Sequence, residues 1–329
     1  MHPNRASRIL RMLATLFLAT FAGLCFGADA GAYPSRPIRI IISYPAGTAT
    51  DTLARLVGAK LEQALGQPVV VEIRTGGAGN VGLAAAARAA PDGYTLTIGG
   101  AAMCINASIY GKRAVDPIHD FAPVAKLATT PVLIVANPAA HIGTIADLVA
   151  RARREPGRLA YSTPGVGTPT HVAAELLSML ADVKLLHVPY AGSGQLMTDV
   201  LSGVVPLSFT LPGAATQFLA NHQLEAVAVT SSHRIAALPD VPTVAESGYP
   251  GFDVTSWHSI LAPVGTPPEI IERLSRELVR IVQLPDVRER LIAIGMEPSP
   301  GNPQQLAQEI RTEVARWQPV VARAGIHQD

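Results

Sequence analysis

The strongest constraint on this chain is an alternation of β-branched apolar runs with segments of helical period, broken by glycine and proline at the joins. Pro37 to Ser43 (PIRIIIS) predicts a buried strand, and Leu53, Leu56, Val57, Leu61, Ala64 and Leu65 follow at helical spacing. Gly66-Gln67-Pro68 stops that helix, and Val69 to Ile73 predicts the next strand. A glycine-rich loop from Thr75 to Gly82 opens an alanine-rich helix to Ala90. A Pro91-Asp92-Gly93 turn then leads into a strand from Tyr94 to Ile98. Strand–helix–strand units of this spacing need right-handed crossovers, hence a mostly parallel sheet.

The rhythm returns with different sequence. Strands are expected at Val132 to Ala136, Leu159 to Tyr161, Leu185 to Val188, Pro206 to Thr210 and Glu225 to Thr230. Helices are expected near Ala146 to Arg153, from Thr170 to Leu180, and up to Leu201. A last strand spans Val254 to Ala262, and everything after it reads as helical, with Leu306, Ile310, Val314 and Trp317 on one face. A helix-only tail cannot make its own core, so it should return to the first sheet. The expected fold class is therefore α/β with two lobes. Residues 31–131 and 254–329 form a discontinuous first lobe, and 132–253 form the second.

The first thirty residues carry a different message. Arg5, Arg8 and Arg11 precede an apolar run from Met12 to Phe26, and Ala28-Asp29-Ala30 supplies small residues for cleavage. The run is shorter than the roughly 18–20 residues of a membrane-spanning helix. A cleaved signal peptide (1–30) and export are expected, with an uncleaved anchor as the alternative. Cys25 suggests lipidation, but Ala22-Gly23-Leu24 lacks the small residue that should adjoin the cysteine. Cleavage leaves 23 basic and 24 acidic residues and one cysteine, Cys104, which reads as a small buried hydrophobe with no disulfide partner. With charged residues at 16% and aromatics at 5%, there is no basic face or stacking platform for nucleic acid.

Three loops share one design, in which a strand ends, glycine and hydroxyl residues follow, and a helix begins. They run Tyr44 to Asp51, Ser162 to His171 and Tyr190 to Gln195. Helix N-termini present unpaired N–H groups and partial positive charge, so such loops hold anions. Thr48, Thr168 and Ser193 can equally be plain caps, and the two roles can coexist. Gly77-Ala78-Gly79-Asn80-Val81-Gly82 matches the dinucleotide pattern G-x-G-x-x-G. No acidic residue follows at the ribose position, so the glycines are expected to line a cleft instead. No G-x-S-x-G elbow is present, and His119, His141, His171, His187, His222, His233 and His258 show no metal-ligand spacing. No enzyme activity, metal or cofactor is expected.

Further motifs appear in order. They are Tyr33-Pro34-Ser35-Arg36-Pro37-Ile38, Tyr44-Pro45-Ala46-Gly47 with Asp51, Leu65-Gly66-Gln67-Pro68-Val69-Val70-Val71-Glu72 and Pro91-Asp92-Gly93-Tyr94-Thr95-Leu96. Asp120-Phe121-Ala122-Pro123-Val124, His187-Val188-Pro189-Tyr190, Leu238-Pro239-Asp240-Val241-Pro242-Thr243 and Ala262-Pro263-Val264-Gly265-Thr266-Pro267 continue the series. The series closely resembles the Bug family, the substrate-binding receptors of tripartite tricarboxylate transporters.

That resemblance implies a periplasmic type II binding-protein (Venus flytrap) fold with a double-crossover hinge, acting as a monomer with integral-membrane transporter subunits. A ligand-presenting receptor for a sensor kinase would share the same fold. The ligand would be a small organic acid whose carboxylate is gripped by Ala46 to Thr48 and by Ser162 to Thr168. Gly77 to Gly79 and Ala191 to Ser193 would border the cleft. The full expected ligand set is Tyr44, Ala46, Gly47, Thr48, Asp51, Gly77, Ala78, Gly79, Ser162, Thr163, Gly165, Gly167, Thr168, His171, Tyr190, Ala191, Gly192, Ser193 and Thr210.

The chain departs from the family pattern in four places. Ala46-Gly47-Thr48 stands for Pro-Gly-Gly, and Ile73-Arg74-Thr75 for Asn-Arg-Pro. Ala191 replaces a frequent Lys or Arg, and Thr210 a frequent Asp. The lost charges imply a less polar distal pocket.

Overall fold

The computed structural model describes residues 33–326, so the expected signal peptide and Cys25 lie outside the described residues. The chain begins β1 (Ile38–Ile42), α1 (Ala49–Leu65), β2 (Val69–Ile73), α2 (Asn80–Ala87), β3 (Thr95–Gly100), α3 (Ala101–Tyr110) and β4 (Phe121–Pro131). It continues β5 (Leu133–Ala136), α4 (Ile145–Arg154), β6 (Ala160–Thr163), α5 (Pro169–Ala181) and β7 (Leu186–Pro189). Next come α6 (Ser193–Leu201), β8 (Leu207–Thr210), α7 (Pro212–Ala220) and β9 (Glu225–Val229). It closes with β10 (Thr255–Pro263), α8 (Pro268–Val282), α9 (Pro285–Ala293), β11 (Glu297–Gly301) and α10 (Pro303–Arg323).

The strands form two sheets, ordered β11-β4-β10-β3-β1-β2 and β7-β6-β8-β5-β9, so the fold is two-lobed α/β. The first sheet draws on both ends of the chain and the second on its middle. Pairing is parallel at β1–β2, β1–β3, β6–β7 and β6–β8. The expectation of mostly parallel sheets needs correcting, because β10 pairs antiparallel with β3 and β4, and β5 with β8 and β9. Both β5 and β10 are reached from the other lobe. No helical crossover within their own sheet therefore forces a parallel direction. The all-helical ending is also corrected, since β11 (EPSPG) pairs with β4 at the sheet edge. Its two prolines hide it from strand patterning, yet an edge tolerates them because half its backbone groups need no partner.

Strand alternation explains the layers of the first lobe. Ile38, Ile40 and Ile42 pack into one core with Leu53, Val57 and Leu61 of α1 and Leu274 and Leu278 of α8. Ile41 points the other way, into a core shared with Leu83, Cys104 and Trp317. Cys104 is a buried free thiol, and burial raises its pKa, as suits an inert hydrophobe.

The chain passes between the sheets at Val132 and again before Thr255. One buried residue, Thr230, ties the two passages together. Its N–H donates to Val132 O (2.9 Å), and its carbonyl accepts from Val254 N–H (2.8 Å). Its hydroxyl accepts from Val132 N–H (3.0 Å) and donates to Val254 O (2.5 Å).

Candidate functional site

In each lobe a strand ends, a short loop turns, and a helix of at least three turns begins with a threonine cap. These are α1, with 17 residues, and α5, with 13. The two loops read Gly47-Thr48-Ala49-Thr50-Asp51 and Gly167-Thr168-Pro169-Thr170-His171, and they match bond for bond. Asp51 N–H and His171 N–H each donate to the cap hydroxyl, of Thr48 and Thr168, at 3.3 Å. Those hydroxyls donate back to Pro45 O (2.9 Å) and Gly165 O (2.7 Å). Gly47 N–H donates to Asp51 Oδ2 (2.9 Å), and Gly167 N–H donates to His171 Nδ1 (3.1 Å). Both glycines sit at positive φ, +79° and +72°, where a side chain would be strained.

This internal bonding decides which backbone donors are left unpaired. The N–H groups of Gly47 and Gly167 are used within their loops. Their neighbours Ala46 and Thr48, and likewise Val166 and Thr168, have backbone N–H groups with no partner among the described residues. Each lobe thus offers the same two amides at the positive end of a helix. Asp51 and His171 are buried and shape the loops from behind. Arg55 Nε holds the second oxygen of Asp51 at 2.8 Å.

Behind the second loop lies a buried polar cluster. The His171 and His187 rings stack with centroids 3.8 Å apart, and the Tyr161 ring stacks on His187 at 5.0 Å. Burial, aided by the neighbouring His187, pushes His171 down to about 3, and burial pushes His187 down to about 4. Neutral His171 can accept from Gly167, and it carries its own proton on Nε2, toward Glu175 at 3.9 Å. His187 Nε2 sits 2.7 Å from the Thr163 hydroxyl, which also donates to Gly165 O (3.1 Å). Thr163 and His171 are therefore positioning residues, and Ser162, whose hydroxyl lies toward Leu207 O, is fully buried.

The glycine-rich stretch runs through four successive positive φ values, at Gly76, Gly77, Ala78 and Gly79. The third glycine of the G-x-G-x-x-G pattern has a packing role. A Cβ on Gly82 would lie 2.5 Å from Ser43 Oγ and 2.6 Å from Arg74 O, so only glycine lets α2 close on β1. Asn106 of α3 donates to Ala78 O (2.9 Å). One turn further along the same helix, Ile109 covers Gly167, so close that a Cβ there would be 2.4 Å from its Cδ1. Helix α3 thus brings the glycine-rich loop of one lobe to the threonine-capped loop of the other.

Two buried hydroxyls near these loops, Ser43 Oγ and Thr210 Oγ1, have no partner among the described residues. A buried polar group left unpaired costs about 1–3 kcal/mol, so such groups mark where a ligand or water bonds. Tyr190 is turned to Asp199, its hydroxyl donating at 2.7 Å, while Ala191, Gly192 and Ser193 form the turn into α6. Tyr44 borders a small cavity with Ser43, Ala78, Gly79 and Asn106. Ser43 and Asn106 are absent from the expected set. Ser43 reads as the last residue of a strand and Asn106 as a helix residue, and only their tertiary neighbours distinguish them.

Comparison with known proteins places these features among relatives. The family model described as "Tripartite tricarboxylate transporter family receptor" matches residues 53–326. Protein BugT of Bordetella pertussis is 35% identical over 319 residues, covering 96% of this chain and 98% of its own. The solved structure of R. palustris Rpa4515 with adipate is 33% identical with a TM-score of 0.78, covering 89% of this chain and 98% of that one. The structure of periplasmic binding protein BugD is 31% identical with a TM-score of 0.75, covering 90% and 100%.

Proposed function

This chain belongs to the tripartite tricarboxylate transporter receptor family, and from that premise we propose that its two matched loops close on one carboxylate of a small organic acid. The observation that carries this reading is the pair of free amides on each loop, at Ala46 and Thr48 and at Val166 and Thr168. Four N–H donors at two helix N-termini suit a single carboxylate, and charge-assisted bonds to amides need no arginine. The adipate in the Rpa4515 structure supports an organic acid as the ligand class. Ser43 and Thr210 would bond the remainder of the ligand, and the Gly77–Gly79 and Ala191–Ser193 turns would wall the cleft.

The lobes, 31–131 with 254–329 and 132–253, would close about the two passages joined at Thr230. A ligand that bridges them favours the closed arrangement. The protein would be exported with cleavage of residues 1–30, act in the periplasm as a monomer, and hand its acid to membrane subunits of a transporter without altering it. Titration calorimetry with adipate, hexanoate, malate, citrate and benzoate, beside adipamide, tests the reading. At least one acid should bind and adipamide should not. Binding of adipamide as tightly as adipate would refute a carboxylate grip.

A further inference from the structure

A cavity of about 500 Å³ lies where α10 of the first lobe meets the far ends of α4 and α5 of the second. Glu175 and Ser178, in its wall, are seven and ten residues along α5 from Thr168, so the cavity stands roughly 10–15 Å from the gripping loop. Its volume falls within the range of about 300–1,000 Å³ typical of small-molecule sites.

Its charges are unbalanced. Arg153, Lys184 and Arg323 line it from three separate segments. Arg153 donates to Ala181 O (3.1 Å), and none of the three makes an ion pair with Glu175 or Asp182, the acids that share the cavity. Glu175 instead accepts from Tyr161 OH at 2.6 Å, and burial raises its pKa. Three solvent-exposed cations share one space with a single exposed acid, Asp182, an arrangement whose net positive charge favours a multiply charged anion. Met179, Val183 and Val320 give the walls an apolar part.

We propose that this cavity is a second anion site, separate from the cleft, taking a small organic acid with two or more negative charges. Arg323 belongs to the first lobe, and Arg153 and Lys184 belong to the second. A bound anion therefore ties the lobes together away from the gripping loops and biases their relative arrangement. The cavity's walls on several sides favour a small molecule over an acidic protein segment.

Calorimetry with citrate, acetate and a hexaglutamate peptide tests this on the wild-type protein, on K184A/R323A, and on R88A/R276A as a control for general charge. The altered side chains are surface cations, and apo unfolding midpoints within about 2 °C of wild type confirm the fold. Citrate should bind wild type and the control alike, at least tenfold more tightly than acetate. In K184A/R323A the affinity of this site should fall tenfold or more, with any citrate bound in the cleft unaffected. Citrate isotherms that coincide in both stoichiometry and affinity across all three proteins, or no citrate binding to wild type, overturn the proposal. Cavity-dependent binding of the peptide without citrate binding overturns it in favour of a protein segment.

Discussion

Asp51 and His171 hold the same place in two lobes of different sequence, each accepting the backbone N–H of the glycine four residues before it, at 2.9 and 3.1 Å. A carboxylate and a neutral imidazole do one geometric job. Each engages a glycine amide and leaves the amides on either side of it unpaired among the described residues.

The Asp51 loop should depend on an acceptor more than on a charge. Asp51→Asn keeps an oxygen for Gly47 N–H and should cost under about 1 kcal/mol. Asp51→Ala leaves that amide unpaired and removes the Arg55 contact, costing about 1–3 kcal/mol. Urea unfolding of both variants measures the difference.

The histidine stack makes stability depend on pH. His171 and His187 have folded pKa values depressed to about 3 and about 4 from an ordinary 6.5, so the unfolded chain binds protons that the folded chain refuses. Stability is therefore full above pH 6.5 and falls as the pH drops toward 4. The two together should cost roughly 2–4 kcal/mol between pH 7 and pH 5, from about 1.4 kcal/mol per unit per group. Burial depresses His258 to about 4 as well, so His171→Asn, which retains an acceptor for Gly167, should flatten the slope seen in denaturation curves at several pH values by about a third.

Thr230 should be costly to replace despite its lack of charge. Thr230→Val preserves shape but strands Val132 N–H and Val254 C=O, both buried in the interlobe passage. A loss of about 2–4 kcal/mol is expected from two unpaired groups, read by chemical denaturation.

Gly167 is constrained twice, by its φ of +72° and by Ile109. Gly167→Ala should lower the unfolding midpoint and weaken acid binding. Adding Ile109→Ala should recover part of both losses by making room, while the backbone strain remains. A double-mutant cycle with a coupling of about 1 kcal/mol or more would establish the contact.

The geometry of the two threonine-capped loops was legible in the sequence because its signals are local. A β-branched run such as PIRIIIS, then glycine, threonine and a helical period, suffices for β1, its loop and α1. The second loop repeats the pattern, and the family resemblance joined the two. What escaped was non-local. The bond from Asn106 to Ala78 and the packing of Ile109 on Gly167 cross between elements and leave no mark in spacing. The bonding of the Gly47 and Gly167 amides was hidden although it is local. In the sequence Asp51 reads equally as a residue that orients its loop and His171 as a structural or capping histidine, yet neither reading names the glycine amide that each one holds.

The central claim is that one carboxylate is held by matched amides from both lobes, and amide chemical shifts report that directly. In the mature ¹⁵N-labelled protein, titrated with whichever of adipate, hexanoate, malate, citrate or benzoate binds, the Ala46, Thr48, Val166 and Thr168 resonances should move together along one binding curve. The Gly47 and Gly167 amides, bonded to Asp51 and His171, should move far less. Shifts confined to one loop, or largest at the two glycines, would contradict the account.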